Sequence, residues 1–369
     1  MGIRRQIWEC GVLACGRLQF SKPSLPKAPK GIFILRNNDH GDLLVITPIF
    51  QGIKRQFPSA KIIAGVGDWN RPVLQGNPYV DEIISVNAPW HNQVVRPQGV
   101  WPALRYLWKS TEIGGLRAKA CDVGIDVLGS SWGALLMIRA GISYRLGVKG
   151  YAGGHSACHQ CVQYDSNMHV GRSALQLAEL LGARELPENR PQIFLSKAER
   201  NTGEQLWRGP GIDDRNKRIL IGPGGGFVEK CWPPQNFREL LEQLSKDSRC
   251  SLLLVGGQKD AKLCANLVDG LPRVNNRCGK TTLRETFALT AAADLVVCNS
   301  SMLMHAAAAF RKPAVVLLGP FFASATAHAK QWGHPESVIL GPEPGRQPTS
   351  PPAEAIEAIM RQLSAGARG

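Results

Sequence analysis

The chain has 369 residues, 44% of them apolar and 20% charged, with 39 glycines and 25 prolines. That is enough apolar material for packed cores, which excludes wholesale disorder, and the glycines follow no three-residue period, which excludes a collagen-like chain. No apolar stretch reaches the roughly 18 residues a membrane-spanning helix needs.

The formal net charge of +15 favours phosphorylated or otherwise anionic partners and an anionic membrane surface. The cations are spread along the chain, with no RNP1 segment, paired metal-finger spacing or basic zipper, so nucleic acid is not an expected partner. The ten cysteines are scattered as in a protein of a reduced compartment, not spaced as a disulfide framework.

Residues 1–30 read as a leader and linker. Arg4 and Arg5 precede a moderately apolar stretch that Glu9 interrupts, which is a poor signal sequence. A frayed leader or a short basic amphipathic segment lying on a membrane surface fits better. From residue 31 strands and helices alternate. Gly31–Leu35 is a continuous apolar run, as a buried parallel strand should be. Leu43, Ile46, Phe50, Ile53 and Phe57 follow at helical spacing, with Pro48 set to kink that helix or delay its start. Strands are expected at 61–66 and 83–86, a helix at 101–119, a strand at 122–128, a helix at 131–140, an extended segment at 144–147 and a helix at 169–181.

His155, Cys158, His159 and Cys161 form one C-x-x-C pair with two histidines. A structural zinc site brings two ligand pairs, and no second pair is present, so a plain loop and no metal are expected. Residues 184–217 lack periodicity and read as a linker between a first domain (31–183) and a second (218–352). In the second, strands are expected at 218–221, 251–255, 295–298 and 314–318, with helices between them. Ile356, Ile359 and Leu363 mark a C-terminal helix over 353–369. Two such βα series imply an α/β chain of two Rossmann-like lobes with parallel sheets and a cleft between them, ligands sitting beyond the carboxyl ends of the strands.

Three segments carry candidate chemistry. Arg36-Asn37-Asn38-Asp39-His40-Gly41-Asp42 follows the first strand and opens a helix. It lacks the G-x-G-x-x-G spacing of a dinucleotide fingerprint, so no nicotinamide cofactor is expected. Gly41 permits a sharp turn. Asp42 either caps the helix or aims a carboxylate into the cleft as a general base. Gly222-Pro223-Gly224-Gly225-Gly226 again follows a strand, and its backbone N–H groups can approach an anion closely. Lys230 just beyond it either neutralises a phosphate or is a surface lysine. Asn299-Ser300-Ser301 runs from a strand end into a helix start, where hydroxyls and free N–H groups make an anion site. There the alternative is serine capping with His305 in the core.

Taken in order, these blocks resemble glycosyltransferase family 9, the ADP-heptose:lipopolysaccharide heptosyltransferase-like family. The resemblance rests on Arg36 through Gly41-Asp42 to Pro48, on Asn77-Pro78-Tyr79-Val80-Asp81, on Lys230-Cys231-Trp232-Pro233, on Gly256-Gly257 and Cys278-Gly279-Lys280-Thr281-Thr282, and on Asn299 to Ala307. It spans roughly 31–365. It implies a GT-B fold and an inverting, metal-independent transfer of a sugar, heptose in the family, with no cofactor. The donor is a nucleotide sugar, ADP-linked by the same resemblance. The acceptor is an anionic glycolipid such as the lipopolysaccharide core, or another surface polysaccharide. On that reading Asp42 takes the acceptor proton and Lys230 offsets the leaving diphosphate. Gly222, Gly224, Gly225, Gln258, Ser300, Ser301 and His305 hold the donor, and Arg36, His40 and Gly41 lie on the acceptor side. The expected setting is cytoplasmic, at the inner face of the bacterial inner membrane, with peripheral contact to its surface.

Three residues depart from the family pattern. Ser300 stands where Asp is usual, Met302 where Gly is usual, and His40 in place of an aliphatic residue. A non-catalytic nucleotide- or glycan-binding descendant and a nucleotide-sugar epimerase on the same scaffold are the alternatives.

Overall fold

The computed structural model describes residues 24–208 and 215–365, together with Gly11, Val12 and Ala14. The chain divides into two compact units, Met1–Gln192 and Ile193–Gly369. The leader reading of residues 1–30 falls mostly outside the described residues. Val12 is described, and its side chain packs against Ala134 and Ala157.

Among the described residues, the first unit runs β1 (Gly31–Leu35), α1 (His40–Leu44), α2 (Pro48–Gln56), β2 (Lys61–Val66), α3 (Arg71–Leu74), β3 (Glu82–Ser85), α4 (Val100–Lys109), α5 (Thr111–Ala118), β4 (Val123–Asp126), α6 (Ser131–Arg139), β5 (Tyr144–Lys149), β6 (Gln160–Gln163) and α7 (Val170–Leu180). Its six strands form one parallel sheet in the order β3-β2-β1-β4-β5-β6. β1 lies between β2 and β4, and all five of its residues are buried. A strand covered on both faces needs no polar alternation, which is why Gly-Ile-Phe-Ile-Leu reads as it does. The order in which strands are added reverses between β1 and β4, where Leu35 stands beside Asp126. The loops leaving these two strands diverge to opposite faces, and the gap between them is where a doubly wound sheet accepts ligands.

Two expected helices are each two helices. Pro48 occupies the first turn of α2, where its missing N–H costs nothing, but it cannot continue α1. The Thr47 hydroxyl donates to the Leu44 carbonyl at 2.8 Å and closes the break. Likewise 101–119 divides at Ser110, whose extended backbone ends α4 and whose side chain accepts the Glu112 N–H to start α5. The loop expected around 155–161 ends in edge strand β6, paired with β5.

The second unit runs α8 (Lys197–Leu206), β7 (Lys217–Gly222), α9 (Pro234–Leu244), β8 (Cys250–Leu254), α10 (Ala261–Val268), β9 (Val274–Asn276), α11 (Leu283–Ala292), β10 (Leu295–Asn299), α12 (Met302–Ala309), β11 (Ala314–Leu317), α13 (Ala325–Trp332), β12 (Ser337–Leu340) and α14 (Pro352–Ala365). Its parallel sheet has the order β12-β11-β10-β7-β8-β9. Counted from β7 this is the strand order of the first unit, with the reversal between β7 and β10. Helix α14 inserts Ala355 and Ile359 into the core beneath β7, β8, β10 and β11.

Residues 184–217 are not a featureless linker. Gln192 closes the first unit, its N–H donating to the Thr47 hydroxyl at 2.7 Å and its amide to Gln51 at 2.5 Å. The second unit then begins with α8, opened by a reciprocal cap between Ser196 and Glu199, a signal present in the sequence. Trp207 ends it as a fully buried indole that donates to the Leu289 carbonyl at 3.0 Å. The close approach of α8 to α11 is made at Gly203, where an added Cβ would stand 2.5 Å from the Ala288 carbonyl oxygen. Cys264 and Cys278 are joined as a disulfide, both buried. The cysteines were expected to be scattered as in a reduced compartment; one pair is bridged, because the fold places the two Cα atoms 6.4 Å apart, within bridging range.

Gly203→Ala drives a methyl into backbone that cannot rotate away. Thermal unfolding of the variant is expected to show a loss of roughly 1–3 kcal/mol; an unchanged melting temperature would show that α8 does not pack as described. Arg284 holds Glu199 in a bidentate pair at 2.7 and 2.9 Å, and this pair, ahead of other causes, draws the Glu199 carboxyl down to about 2 from 4.5. A depressed carboxylate contributes stability that is present above the unfolded value and lost as pH falls. Between pH 4.5 and 2 the wild type should therefore lose stability more steeply than Glu199→Gln, as measured by denaturant titration across that range.

Candidate functional site

In the first unit the segment after β1 is held by a lattice of polar contacts. Arg36, only 5% exposed, donates from Nε to the Asp42 carbonyl and from Nη2 to the Asp42 carboxylate, both at 3.2 Å. Asn37 and Asn38 donate to the carbonyls of Trp90 and His91. The Asn38 carbonyl in turn accepts from the Trp69 indole at 3.0 Å and the Asn70 amide at 2.7 Å. His40 Nδ1 lies 2.9 Å from Asn70 Oδ1, and Asp39 accepts two bonds from Gln93. Asp39 takes the N-cap position of α1, so Asp42 is not the cap. It sits in the first turn, 31% exposed, near the positive end of the helix dipole. Arg36, His40, Gly41 and Asp42 are thus one cluster at the carboxyl end of β1.

Across the strand reversal stands Asp126, which sequence reading missed. It is buried, and it accepts the Leu128 N–H at 3.0 Å, the Ser130 N–H at 2.7 Å and the Ser130 hydroxyl at 2.9 Å. Burial raises its carboxyl above the ordinary range against the pull of those donors. Its role is to pin the β4–α6 turn. The signal for it was a lone carboxylate ending an otherwise apolar strand.

In the second unit the candidate residues converge at the β7–β10 reversal, and Asn299 organises them. This buried side chain ends β10. Its amide donates to the Pro223 and Gly224 carbonyls at 2.7 and 3.2 Å, and its carbonyl accepts the Trp232 N–H at 2.9 Å. One amide therefore sets both the glycine loop after β7 and the segment carrying Lys230. Trp232 is anchored from its other side, its indole donating to the Ser350 carbonyl at 2.8 Å. The Lys230 carbonyl accepts the Gly319 N–H at 3.1 Å, which fixes the backbone of Lys230 against the β11 exit. The Lys230 ammonium lies 5.1 Å from the ring centres of Phe227 and Phe321, so it is bracketed by two aromatic faces that favour a cation.

Ser300 and Ser301 lead into α12, with Ser301 at its N-cap. The free N–H groups and dipole of an eight-residue helix thus open beside the Gly222-Pro223-Gly224-Gly225 turn. Gly224 faces a carboxylate, since a Cβ there would stand 2.3 Å from the Asp260 carboxyl carbon. Asp260 also accepts the Gly257 N–H at 2.9 Å and so ties the β8 exit to the glycine turn. Gln258 stands two residues earlier, exposed, its amide oxygen against Gly279. His305 is buried further along α12, with Nδ1 2.8 Å from His334 Nε2. His328 was also missed: it is buried, its Nε2 has no hydrogen-bond partner, and burial, with Lys230 adding repulsion, pushes it down to about 4. Cys158 and Cys161 donate to the carbonyls of Gly154 and His155. Among the described residues no three His, Cys, Asp or Glu side chains converge to hold a metal ion.

Two doubly wound parallel sheets, the second with a glycine loop and a lysine segment at its reversal, are the architecture of the GT-B fold. Solved structures agree. The chain superposes on E. coli ADP-heptose lipopolysaccharide heptosyltransferase II with a TM-score of 0.72 at 22% identity, covering 91% of this chain and 99% of that one. The E. coli heptosyltransferase WaaC with ADP matches at a TM-score of 0.67 and 17% identity over the same shares. In sequence, lipopolysaccharide heptosyltransferase 2 of E. coli K12 is 26% identical over 291 residues, 76% of this chain and 80% of that protein. Lipooligosaccharide heptosyltransferase 2 of Haemophilus ducreyi is 28% identical over 300 residues, with the same coverage. Residues 113–349 match the family model for glycosyltransferase family 9 (heptosyltransferase). The chain belongs to that family, and it is a glycosyltransferase.

Asn299→Ala orphans the buried Trp232 N–H and frees the glycine loop. Chemical denaturation should register a loss of roughly 2–4 kcal/mol, while Ser300→Ala stays within about 0.5 kcal/mol of wild type. Equal effects would show that Asn299 does not carry the loop.

Proposed function

We propose that this protein transfers heptose from ADP-heptose to the core of a lipopolysaccharide or lipooligosaccharide acceptor, with inversion and without a metal. The observation that carries the reading is the Arg36–Asp42 pair: a buried guanidinium aims a solvent-accessible carboxylate at the carboxyl end of β1, where a doubly wound sheet receives its ligand. The names of the heptosyltransferase relatives supply the donor and the acceptor class.

In the reaction the Asp42 carboxylate takes the proton of an acceptor hydroxyl. The oxygen attacks the anomeric carbon from the face opposite the diphosphate, the bond from that carbon to the diphosphate oxygen breaks, and ADP leaves with the electron pair. Arg36 orients the base, and His40 and Gly41 shape the turn on the acceptor side. The developing diphosphate charge is met by Lys230 and by the N–H groups at the start of α12 after Ser300 and Ser301, charge stabilisation that needs no metal. Gly222, Gly224 and Gly225 let the backbone approach the phosphates. Gln258 meets the nucleoside end, and His305 backs the donor pocket from the helix interior. The enzyme works in the cytoplasm at the inner face of the inner membrane, where a lipid-linked acceptor is presented. Among the described residues no helix is long and apolar enough to cross a membrane.

The test is transfer from ADP-heptose to purified core acceptor with calorimetry in parallel. Asp42→Asn is expected to lower turnover by at least about 100-fold with donor affinity unchanged. Lys230→Ala is expected to lower both. Turnover retained in Asp42→Asn, or wild-type protein that binds ADP-heptose without transfer, would overturn the proposal.

A further inference from the structure

Helix α4 carries two apolar faces. The inner one, Ala103 and Leu107, packs into the core of the first unit, where Tyr106 meets Trp90 edge-on and Trp90 stacks on Trp132. The outer one is unpartnered. Trp101 is 82% exposed and Trp108 78%, with Leu104 between them and the exposed Val100 one residue before Trp101. At 100° per residue Trp101, Leu104 and Trp108 fall within about 60° of one another on the helix surface. Two indoles held almost entirely in water on one stripe are not needed by the fold.

The charges around that stripe have one sign. Arg105 and Lys109 flank it on α4, Arg96 precedes it and Arg117 follows on α5, all exposed. Across residues 86–121 the one acidic side chain is Glu112, and it is turned inward, accepting the Tyr106 hydroxyl and both the N–H and the side-chain amide of Asn87. An apolar, tryptophan-bearing stripe rimmed by cations, whose own segment carries no outward carboxylate and whose nearby Asp68 is held by Arg71, Ser85 and Asn87, complements a bilayer surface with anionic headgroups. Indoles sit at the headgroup level, and arginine and lysine pair with lipid phosphates. The same segment is laced to the Asp42 turn, since Gln93 bonds to Asp39 and the His91 carbonyl accepts from Asn38.

We propose that the outer face of α4, through Trp101, Leu104 and Trp108 with Arg105 and Lys109, docks the first unit on an anionic lipid bilayer. Its use in presenting a glycolipid acceptor to the Asp42 turn rests on the function proposed above; the docking itself does not.

The experiment is co-sedimentation of the full chain with vesicles of phosphatidylethanolamine and phosphatidylglycerol, and with vesicles of phosphatidylcholine, in the absence of donor and acceptor. Wild type is expected to bind the anionic vesicles more tightly than the neutral ones. Trp101→Ser with Trp108→Ser should weaken binding by roughly tenfold or more. Arg105→Gln with Lys109→Gln should remove the preference for anionic lipid. Conservative Trp101→Phe with Trp108→Phe keeps the fold and the apolar stripe; vesicles with brominated acyl chains should quench tryptophan emission in wild type and lose most of that quenching in this variant. Unchanged binding in the serine variant, unchanged quenching in the phenylalanine variant, or an α4-dependent dimer that ignores vesicles would each overturn the proposal. Since no turnover is read, failure here leaves the transfer chemistry standing, and absent transfer leaves the docking result standing.

Discussion

The Asn299 amide is the contact on which the second unit's chemistry depends. It sits at the end of β10, where the chain leaves a fully buried strand, and uses its donor and acceptor groups on two different loops. A backbone N–H or C=O at such a place must be satisfied internally or lose roughly 1–3 kcal/mol. By satisfying both loops with one side chain, the fold holds the glycine turn, the start of α12 and the Lys230 segment in a single arrangement. None of these pieces is an anion site alone. Their fixed combination at a strand reversal is the anion site proposed for the donor.

That division of labour bears on the departures from the family pattern. Ser300 in place of Asp and Met302 in place of Gly lie beside Asn299, not in its bonds. Met302 is the first residue of α12, a position that tolerates a side chain. A carboxylate in this region is still present, as Asp260, which reaches across from the β8 exit to the glycine turn. In the first unit the equivalent task falls to Arg36, whose buried side chain ties the Asp42 carboxylate to its own turn, and to Asp126, which pins the neighbouring exit.

Much of this was legible before any coordinates. The apolar runs of β1, β2, β7, β10 and β11 declare themselves because central parallel strands are buried on both faces. Of the edge strands only β3 was read, at 83–86; β9 is three residues long and β12 is only half-buried throughout, so neither has the run or the alternation that periodicity detects. The break of 101–119 was signalled by Ser110, an N-cap residue, but the apolar spacing that continues through Ile113 and Leu116 hid it. The misreading of 184–217 came from weighing composition above the Ser196-x-x-Glu199 cap. Among candidate site residues, glycine, lysine and a helix start are the ones that local sequence marks. Asp126, whose bonds to Leu128 and Ser130 are local, was passed over as a lone carboxylate at a strand end. Asn299 was read only as part of a strand-to-helix segment, because its bonds to the Pro223 loop and Trp232 are long-range and no local pattern encodes them; Asp260 was missed because it meets a glycine turn distant in sequence. The Cys264–Cys278 bridge was missed for the same reason.

The central claim is that the donor diphosphate is received where β7 and β10 part. Hydrogen–deuterium exchange of the full chain with and without ADP-heptose measures this directly at the backbone amides. The account predicts slowed exchange in residues 222–226 and 300–304 on donor binding, diminished in Asn299→Ala. Protection confined to other segments, or donor binding with no change in these two, would contradict it.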